Sequence, residues 1–273
     1  MIHKKYDRLI TYLRSLKSGV LAYSGGLDST FLLYAMKESG IDTLAVIGKS
    51  ITMPYRDLTT ALQMIALIGV SHKIIETSEL SDERFASNPP DRCFYCKNEL
   101  FGRLRQIAIE EGVANVFDGS TMDDLHDYRP GLKAKEKHNI ISPLIIAELN
   151  KAEIRELSKA KGLKTWNKPS SPCLSSRLPY GQRITKEALS MIESSEEALR
   201  EMGFISNLRV RHHGQIARIE LDINDIKRAM EDSVRYKIVK RLRDIGFEYV
   251  TLDIEGYVSG KLNRVLGEDR ADG

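Results

Sequence analysis

The segment Ser24–Ser29, with the sequence SGGLDS, has the residue types and the position of a phosphate-binding loop. It follows a short apolar run, Val20–Tyr23, and precedes a helical pattern that starts near Asp28. The unpaired backbone N–H groups and the dipole at the start of a helix favour an anion. Gly25 and Gly26 have no side chains that would keep the backbone away from phosphate oxygens. The sequence therefore predicts that this segment, called the phosphate loop below, binds a pyrophosphate group.

The side chains of the phosphate loop extend this prediction. Ser24 and Ser29 can add hydroxyl donors, whereas Asp28 would repel a phosphate and is predicted to hold a magnesium ion that binds it. The loop lacks the Gly-Lys-Ser or Gly-Lys-Thr ending of Walker loops and the glycine pattern of dinucleotide-binding folds. It resembles instead the loop of the PP-loop ATP pyrophosphatases. That resemblance implies cleavage of ATP to AMP and pyrophosphate through an adenylated substrate.

Three cysteines form the second group of residues with chemical potential. Cys93 and Cys96 make a CxxC pair just before a predicted helix, and Cys173 follows about eighty residues later. The pair alone is compatible with half of a zinc site, with a redox pair or with two small buried residues. Three thiolates can hold a cubane iron–sulfur cluster and leave one iron open to an extra sulfide. Because no histidine stands at CxH or HxC spacing from a cysteine, a cluster is favoured over zinc.

Cys173 lies in a segment rich in Pro, Ser and Gly, close to Arg177 and Arg183. Neighbouring cations lower the pKa of a thiol, so the sequence predicts a thiolate at this position. Such a thiolate could ligate a cluster or deliver its own sulfur as a nucleophile. A thiol without any role is the third alternative.

Strands alternate with helices over about the first 165 residues. The predicted strands are Val20–Tyr23, Thr43–Ile47, Lys73–Glu76 and Asn115–Asp118, and the predicted helices are Asp28–Ser39, Tyr55–Ile68 and Cys96–Glu111. This alternation predicts an α/β domain with a parallel sheet that helices cover on both faces. Sheets of this kind bind ligands at the carboxyl ends of their strands, where the phosphate loop is predicted to lie.

The rest of the chain changes character. Residues 169–185 read as a loop or linker that carries Cys173. Beyond it the pattern predicts helices Lys186–Met202 and Ser233–Gly246 and strands Asn207–His212, Gln215–Leu221 and Glu248–Ile254. A tight connection at His213–Gly214 joins the two central strands. We therefore expect an ATP-binding domain of residues 1–168, the linker 169–185, and a smaller α+β domain of residues 186–273 for substrate binding or oligomerisation.

The overall composition argues against several classes of protein. The chain carries 41 basic and 38 acidic residues, a net charge of +3, which suits small anionic substrates and gives no argument for nucleic acid. No stretch approaches the ~20 apolar residues of a membrane span. The N-terminal residues lack the apolar core of a signal peptide, and three cysteines, an odd number, do not suggest a disulfide framework. We therefore expect a cytoplasmic protein.

Five segments together resemble the LarE family over most of the chain, to about Ile254. They are the phosphate loop, the CxxC pair, the segments Asp118–Leu125 (DGSTMDDL) and Asp127–Gly131 (DYRPG), and Pro172–Arg177 (PCLSSR). The resemblance implies an N-terminal PP-loop domain, a smaller C-terminal domain and self-association into homo-oligomers. It also implies ATP-dependent sulfur transfer to the adenylated carboxylates of a pyridinium mononucleotide. The product would be the dithiolated precursor of the nickel-pincer nucleotide.

The source of the sulfur divides this family. In some members a single cysteine at the position of Cys173 gives up its own sulfur and ends as dehydroalanine. This sequence departs from those members because it also has Cys93 and Cys96. It is similar to the three-cysteine members, whose thiolates hold a [4Fe-4S] cluster that carries a transferable sulfide. The resemblance thus favours all three cysteines as cluster ligands, with a sacrificial Cys173 as the alternative.

Further residues are candidates for binding ATP. Arg129 is expected to clamp a phosphate, with a surface salt bridge as the alternative. Lys97 is a candidate for contact with pyrophosphate, and Gly119 is expected to lie beside the nucleotide. Asp123 and Asp124 could hold magnesium or cap a turn.

Arg209 and Arg211 lie two residues apart in a predicted strand, so their side chains point to the same face of the sheet. His213 lies two residues further on and points to that face as well. A solvated basic face is one interpretation of this row. The family resemblance favours binding of the substrate phosphate.

Three other functions compete with sulfur transfer to a mononucleotide. A tRNA thiolase would need a basic RNA-binding surface, for which the near-neutral charge gives no support. An amide-forming PP-loop ligase would not explain three cysteines. A non-catalytic nucleotide-binding protein with structural zinc is disfavoured by the intact Ser24, Asp28 and Ser29.

Overall fold

The computed structural model describes residues 2–126, 131–169 and 171–266, and the chain divides into two compact units. The first unit contains the residues up to Asp82 together with Asp91–Ser171. The second unit contains Glu83–Pro90 together with the later described residues from Pro172. Among the described helices, none is both long enough and apolar enough to cross a membrane.

The predicted strands and helices are present in the predicted order, and the described residues form six further helices that were not predicted. In chain order the helices and strands are α1 (Ile2–Arg14), β1 (Ser18–Ala22), α2 (Leu27–Ser39), β2 (Asp42–Lys49), α3 (Tyr55–Ile68), β3 (Ser71–Glu76), α4 (Glu83–Ala86), α5 (Arg92–Glu110), β4 (Asn115–Phe117), α6 (Gly131–Lys137), α7 (Pro143–Ile146), α8 (Lys151–Ala160), α9 (Lys186–Glu201), β5 (Leu208–His213), β6 (Ile216–Leu221), α10 (Ile223–Ala229), α11 (Asp232–Ile245) and β7 (Tyr249–Leu252). Short 3₁₀ segments lie at Glu79–Ser81, Met122–His126, Lys164–Asn167, Leu174–Arg177 and Lys261–Leu266.

The first unit is built on a four-stranded parallel sheet with the strand order β3-β2-β1-β4. Successive side chains of each strand point to opposite faces of the sheet. Leu21 and Phe117 pack into a core with residues of α1, α2 and α3, whereas Val20 and Val116 pack into a core with residues of α5 and α6. The predicted parallel sheet with helices on both faces is therefore confirmed.

The order of the strands indicates where the sheet can bind a ligand. The chain leaves β1 toward the β2 side and later adds β4 on the other side of β1. The end of β1 is thus the point at which the strand order reverses, and such a switch point opens a crevice at the carboxyl edge. The phosphate loop follows β1 directly, and Asp118 follows β4.

The second unit contains a three-stranded mixed sheet with the order β5-β6-β7. Strands β5 and β6 are antiparallel and joined by a two-residue turn in which Gly214 has a φ of +65°. Strand β7 runs parallel to β6. Apolar side chains of α9 and α11 cover the sheet, with Leu199, Ile238 and Leu242 almost fully buried. The predicted smaller α+β region at the C-terminal end of the chain is therefore confirmed.

Candidate active site

The phosphate loop connects β1 to α2 with its backbone N–H groups at the start of the helix. Gly26 has an extended backbone and immediately precedes α2, which begins at Leu27. The Ser24 and Ser29 hydroxyl groups lie 3.0 Å apart, and Gly26 N donates to Ser24 Oγ over 3.4 Å. The two serines thus close the loop on itself at the helix N-terminus. This arrangement leaves the helix dipole available to an anion, and the 3.4 Å contact of Gly26 N is weak enough for an anion to replace it.

Gly25 is the position in the loop where only glycine fits. Its φ is +69°, and a Cβ built there would lie 2.6 Å from Ala61 Cβ and 2.8 Å from Ala61 Cα. Non-glycine residues are strained at such a φ, and the contact with the backbone of α3 allows little relief. The close approach of α3 therefore fixes the course of the loop.

We expect Gly25→Ala to lower the free energy of unfolding by roughly 2–3 kcal/mol and to abolish measurable ATP binding, because the loop must move away from α3. Calorimetric titration with ATP and thermal unfolding check this result. Gly40→Ala is the matched control, since Gly40 has a φ of +77° but no atom within 4 Å of its built Cβ. That variant should lose about 1 kcal/mol and bind ATP normally. Normal ATP affinity in Gly25→Ala would contradict the assigned role of the loop.

Asp28 lies in the first turn of α2 and has an unusual environment. Its Oδ1 is buried and has no hydrogen-bond partner in the part of the chain that the structure describes. Burial raises the pKa of the Asp28 carboxyl from 3.8 to about 6, with Asp124 acting in the same direction and Lys151 against it. A buried acceptor without a donor suits a cation that is bound together with the ligand.

Asp118, at the end of β4, is held by three neighbouring side chains. Ser120 Oγ and Ser142 Oγ each donate to its carboxylate over 2.6 Å, and Lys135 Nζ lies 3.4 Å from Oδ2. The next residue, Gly119, packs against the helix start, since a Cβ there would lie 2.9 Å from Ser29 N. These contacts bring the turn after β4 against the phosphate loop.

Asp123 and Asp124 both accept backbone N–H groups. Thr121 N donates to Asp124 Oδ2 over 2.9 Å, and Lys151 N donates to Asp123 Oδ2 over 2.7 Å. The Lys151 ammonium also lies 3.2 Å from Asp124 Oδ1. The pair therefore caps the turn after β4 and ties it to the start of α8. Arg129, the residue expected to clamp a phosphate, lies outside the described residues.

Two cavities of about 230 Å³ each open beside the phosphate loop. Both are lined by Ser24, Gly26, Asp28 and Asp124. The first continues past Lys97, on α5, whose ammonium has no hydrogen-bond or ion-pair partner among the described residues. It is lined on the other side by Asp118, Gly119 and Ser120.

The second cavity is lined by three cations that the sequence analysis missed: Lys151, Arg155 and Lys168. Lys151 and Arg155 lie four residues apart on α8 and therefore on the same side of the helix. A sequence signal existed, because Asn150 and Glu153 form a capping box that marks the start of α8. Both cavities beside the phosphate loop thus contain cationic side chains, together with carboxylates that include Asp28 and Asp124.

Lys168 ties three parts of the site together. Its Nζ donates to Gly25 O over 3.1 Å and lies 3.0 Å from Asp57 Oδ1, on α3. Ser171 Oγ donates to the other carboxylate oxygen of Asp57 over 2.6 Å. The side chains of Lys168 and Asp57 are only 14% and 7% exposed, so this pair is shielded from water.

We expect Lys168→Met to lower the free energy of unfolding by about 3 kcal/mol, because it leaves a buried carboxylate without its partner. The double variant Lys168→Met with Asp57→Asn should recover most of the lost free energy of unfolding. Both the single and the double variant should bind ATP more weakly than the unaltered protein. Chemical denaturation and calorimetric ATP titration check both results. Lys161→Met removes a more exposed ion pair with Glu38 and should cost less than about 1 kcal/mol. No recovery in the double variant would show that the pair is not coupled.

The cysteines are distributed over both units. Cys93 is exposed and Cys96 partly exposed, and both lie in the first five residues of α5, in the first unit. Cys173 is partly exposed and precedes the 3₁₀ segment Leu174–Arg177 of the second unit. Among the described residues, no group of three or more His, Cys, Asp or Glu side chains is arranged to hold a metal ion.

The two arginines near Cys173 have carboxylate partners of their own. Arg177 pairs with Glu196 over 2.8 Å, and Arg183 forms a forked ion pair with Glu83. The sequence-based prediction treated both as free positive charges beside the thiol. The carboxylates offset those charges, and Arg177 contributes mainly through hydrogen bonds to the backbone around Cys173.

Arg209 and Arg211 are buried at 7% and 6% exposure, so the interpretation of a solvated basic face is wrong. Arg211 pairs with the fully buried Glu220 over 2.8 Å, and its Nη1 donates to Ser176 O over 2.7 Å. Burial lowers the pKa of Arg209 to about 10, with a further contribution from the charge of Arg177. The guanidinium of Arg209 stacks 5.1 Å from the ring centre of Tyr257.

No protein-family model matches the chain. An uncharacterised protein of Synechocystis sp. is 39% identical over 97% of this chain and 99% of its own length. The pyridinium-3,5-bisthiocarboxylic acid mononucleotide synthase of Lactiplantibacillus plantarum is 36% identical over 96% of this chain and 95% of its own length.

The chain belongs to the LarE family. The match at this identity extends over nearly the whole length of both proteins and therefore includes both structural units. A LarE protein is an ATP-dependent sulfur transferase with a PP-loop, and the phosphate loop of this chain has the corresponding sequence and position. The family resemblance stated from the sequence motifs is thereby confirmed.

A solved structure supports the assignment of the fold. NMN synthetase from Francisella tularensis superimposes with a TM-score of 0.52 at 19% identity, covering 63% of this LarE chain and 76% of that protein. At this identity the likeness concerns the fold alone. It agrees with a PP-loop type of parallel sheet in the first unit.

Proposed function

We propose that this LarE protein adenylates the carboxylates of a pyridinium dicarboxylate mononucleotide and replaces carboxylate oxygen by sulfur, in the synthesis of the nickel-pincer nucleotide. The observation that carries this proposal is the 36% identity to the bisthiocarboxylic acid mononucleotide synthase over 96% of the chain. The complete phosphate loop and the cavities beside it supply the ATP chemistry that such a synthase needs.

The first half of the reaction makes the carboxylate reactive. A carboxylate oxygen attacks the α-phosphorus of ATP, the bond to the bridging oxygen breaks, and pyrophosphate leaves with the electron pair. Negative charge builds up on the leaving pyrophosphate, so donors and cations around it lower the barrier. We assign this task to the amides of Gly25 and Gly26 and to the cations Lys97 and Lys151. Arg129 is proposed as a further phosphate contact on the sequence motif alone.

Asp28 fits a magnesium ion by the chemistry of its carboxylate and by its buried, unpartnered Oδ1. Magnesium in nucleotide sites uses one or two carboxylates and takes its other ligands from phosphates and water. When bound, the ion would neutralise phosphate charge. Asp28 would hold that ion in the first turn of α2, next to the loop amides.

The second half of the reaction transfers sulfur. A sulfide sulfur attacks the acyl carbon, a carbon–sulfur bond forms, and the bond from carbon to the AMP oxygen breaks, releasing AMP. We propose Cys93, Cys96 and Cys173 as thiolate ligands of a [4Fe-4S] cluster, which would supply a transferable sulfide when bound. Thiolates are the donor type that such a cluster takes from a protein, and the three cysteines supply this donor type from both units. Two of these sulfurs lie at the start of α5, where the helix dipole favours negative charge.

The second unit is proposed to bind the substrate phosphate through Arg209 and Arg211. Both guanidinium groups are buried, and Arg211 Nε is a buried donor without an acceptor among the described residues. An unpaired buried donor suits a ligand oxygen. His213 Nε2 is also buried without a described partner and continues the same side of β5.

The C-terminal part is also proposed to support homo-oligomers. Large apolar side chains are exposed in the second unit, and they include Ile205, Ile223, Tyr249 and Ile254. Exposed apolar residues in this number suit contact with another copy of the chain. We propose the functional division 1–168 for ATP chemistry, 169–185 for the cysteine-bearing loop and 186–273 for substrate and subunit contacts.

Pyrophosphate release with different acceptors tests the proposed function. The enzyme, ATP and magnesium should release pyrophosphate when a pyridinium dicarboxylate mononucleotide is added and not when unmodified tRNA is added. Release that depends on tRNA would establish a tRNA thiolase instead. One zinc per chain without release for any acid would establish a nucleotide-binding zinc protein.

A further inference from the structure

Arg177 is among the most completely buried side chains of the second unit, at 1% exposure. Its Nε and Nη2 donate to the two carboxylate oxygens of Glu196 over 2.8 Å and 3.1 Å. Such a forked pair fixes the plane of the guanidinium as well as its position. Burial raises the pKa of the Glu196 carboxyl, but the charge of Arg177 and the hydrogen bonds that Glu196 accepts outweigh it, so the pKa lies below its ordinary value. Glu196 is therefore ionised at neutral pH.

The remaining nitrogen of Arg177 contacts the backbone that carries the reactive cysteine. Its Nη1 donates to Pro172 O over 2.6 Å and to Cys173 O over 3.1 Å. It also donates to Ser176 Oγ over 3.0 Å. Cys173 O is therefore held from two sides, because it also accepts Ser176 N in the 3₁₀ turn.

The carboxylate that orients Arg177 is itself fixed by secondary structure. Glu196 lies on the buried face of α9 and accepts Val210 N of β5 over 3.2 Å. The backbone around Cys173 is thus tied to α9 and β5 through the guanidinium of Arg177, and Arg211 of β5 adds a contact to Ser176 O. A lysine could reach Glu196 or the carbonyl groups, but it lacks the planar fork that joins them.

We propose that Arg177 is the positioning residue for Cys173, holding its backbone so that the sulfur keeps one direction for sulfur chemistry. This inference rests on the proposed function for the chemical role of Cys173. Arg177 is 1% exposed, so its role is to hold the backbone and not to meet substrate. It acts through the carbonyl groups of Pro172 and Cys173 and through Glu196.

Hydrogen exchange in the segment 173–178 tests this proposal without any activity measurement. The amides of Ser176 and Leu178 donate within this segment and should exchange slowly in the unaltered protein. Arg177→Lys and, as a second variant, Glu196→Gln should accelerate their exchange at least about tenfold. Exchange in α9 and α11 should change much less.

Leu199→Ala provides a matched control for general destabilisation, because Leu199 lies in the core of the same unit at 0% exposure. It should lower Tm comparably without selective loosening of residues 173–178. Arg264→Lys alters an exposed forked ion pair with Glu255 and should change neither Tm nor the hydrogen exchange of residues 173–178. Equal exchange of the segment in Arg177→Lys and Leu199→Ala would overturn the proposal, as would unchanged exchange in both Arg177→Lys and Glu196→Gln.

Activity then separates this proposal from the proposed function. Arg177→Lys should reduce sulfur transfer at least about tenfold while the KM for ATP in pyrophosphate release stays unchanged. Unaltered protein that transfers no sulfur would refute the proposed function and leave the exchange result intact. Selective loosening of the segment with undiminished sulfur transfer would overturn the positioning role alone.

Discussion

Replacing Asp28 with Asn is expected to reduce substrate-dependent pyrophosphate release by roughly 100-fold or more, while the protein becomes more stable. The Asp28 carboxylate is the group proposed to hold magnesium, and its buried Oδ1 has no hydrogen-bond partner among the described residues. Asn keeps the shape of the side chain but lacks the charge that attracts the ion. A stopped pyrophosphate assay over a range of magnesium concentrations measures the loss.

The gain in stability follows from the raised pKa of Asp28. Burial lifts that pKa from 3.8 to about 6, so ionisation of the carboxyl opposes folding. This free-energy cost to folding is absent at pH values below 3.8, the pKa of the carboxyl in the unfolded chain. It grows as pH rises from 3.8 to about 6 and is constant above that pH. Asp28→Asn should therefore raise the free energy of unfolding by on the order of 1–3 kcal/mol at neutral pH. The gain should vanish near pH 4, the ordinary value of the carboxyl group.

Asp232→Asn is the control for this experiment. Asp232 also lies in the first turn of a helix, but its side chain is 92% exposed. Its substitution should change neither pyrophosphate release nor the pH dependence of stability. Normal release by Asp28→Asn at low magnesium would contradict the assignment of Asp28 to the metal.

Replacing any one cysteine with Ser is expected to abolish repeated sulfur transfer and the retention of iron in anaerobically prepared protein. A serine hydroxyl does not replace a thiolate as an iron ligand. Pyrophosphate release should persist in all three variants, because none of the described residues that line the two cavities beside the phosphate loop is a cysteine. Iron, acid-labile sulfide and visible absorption measure the cluster in Cys93→Ser, Cys96→Ser and Cys173→Ser.

The pattern among the three variants distinguishes the two sources of sulfur. Equal loss in all three supports the cluster. If Cys93→Ser and Cys96→Ser still transfer one sulfur per chain and only Cys173→Ser fails, the cluster proposal is wrong. The sacrificial use of Cys173 would then explain the product.

Much of the first unit could be predicted because local patterns and the tertiary fold agree there. The apolar run of β1, the glycines of the loop and the helical spacing of α2 each have a direct structural meaning. Helix α1 was missed. Its buried residues Tyr6, Leu9, Ile10 and Leu13 have helical spacing, but charged residues interrupt them.

The electrostatic surroundings of the site could not be predicted from the sequence. Lys168 is distant from Gly25 in the chain and approaches it only because the segment after α8 packs against α3. Arg209 and Arg211 alternate as predicted, yet the sequence could not reveal that they are buried beside Glu196 and Glu220. Long-range ion pairs depend on packing that no local pattern records.

The measurement that tests the central claim most directly is the mass of the product formed with heavy-isotope sulfide. Enzyme, ATP, magnesium and pyridinium dicarboxylate mononucleotide react under anaerobic conditions with labelled sulfide. We expect thiocarboxylate product that carries the label, pyrophosphate released with each sulfur gained, and more than one labelled sulfur transferred per chain. Pyrophosphate release without any sulfur in the product, or a product with no dependence on ATP, would contradict ATP-dependent sulfur transfer.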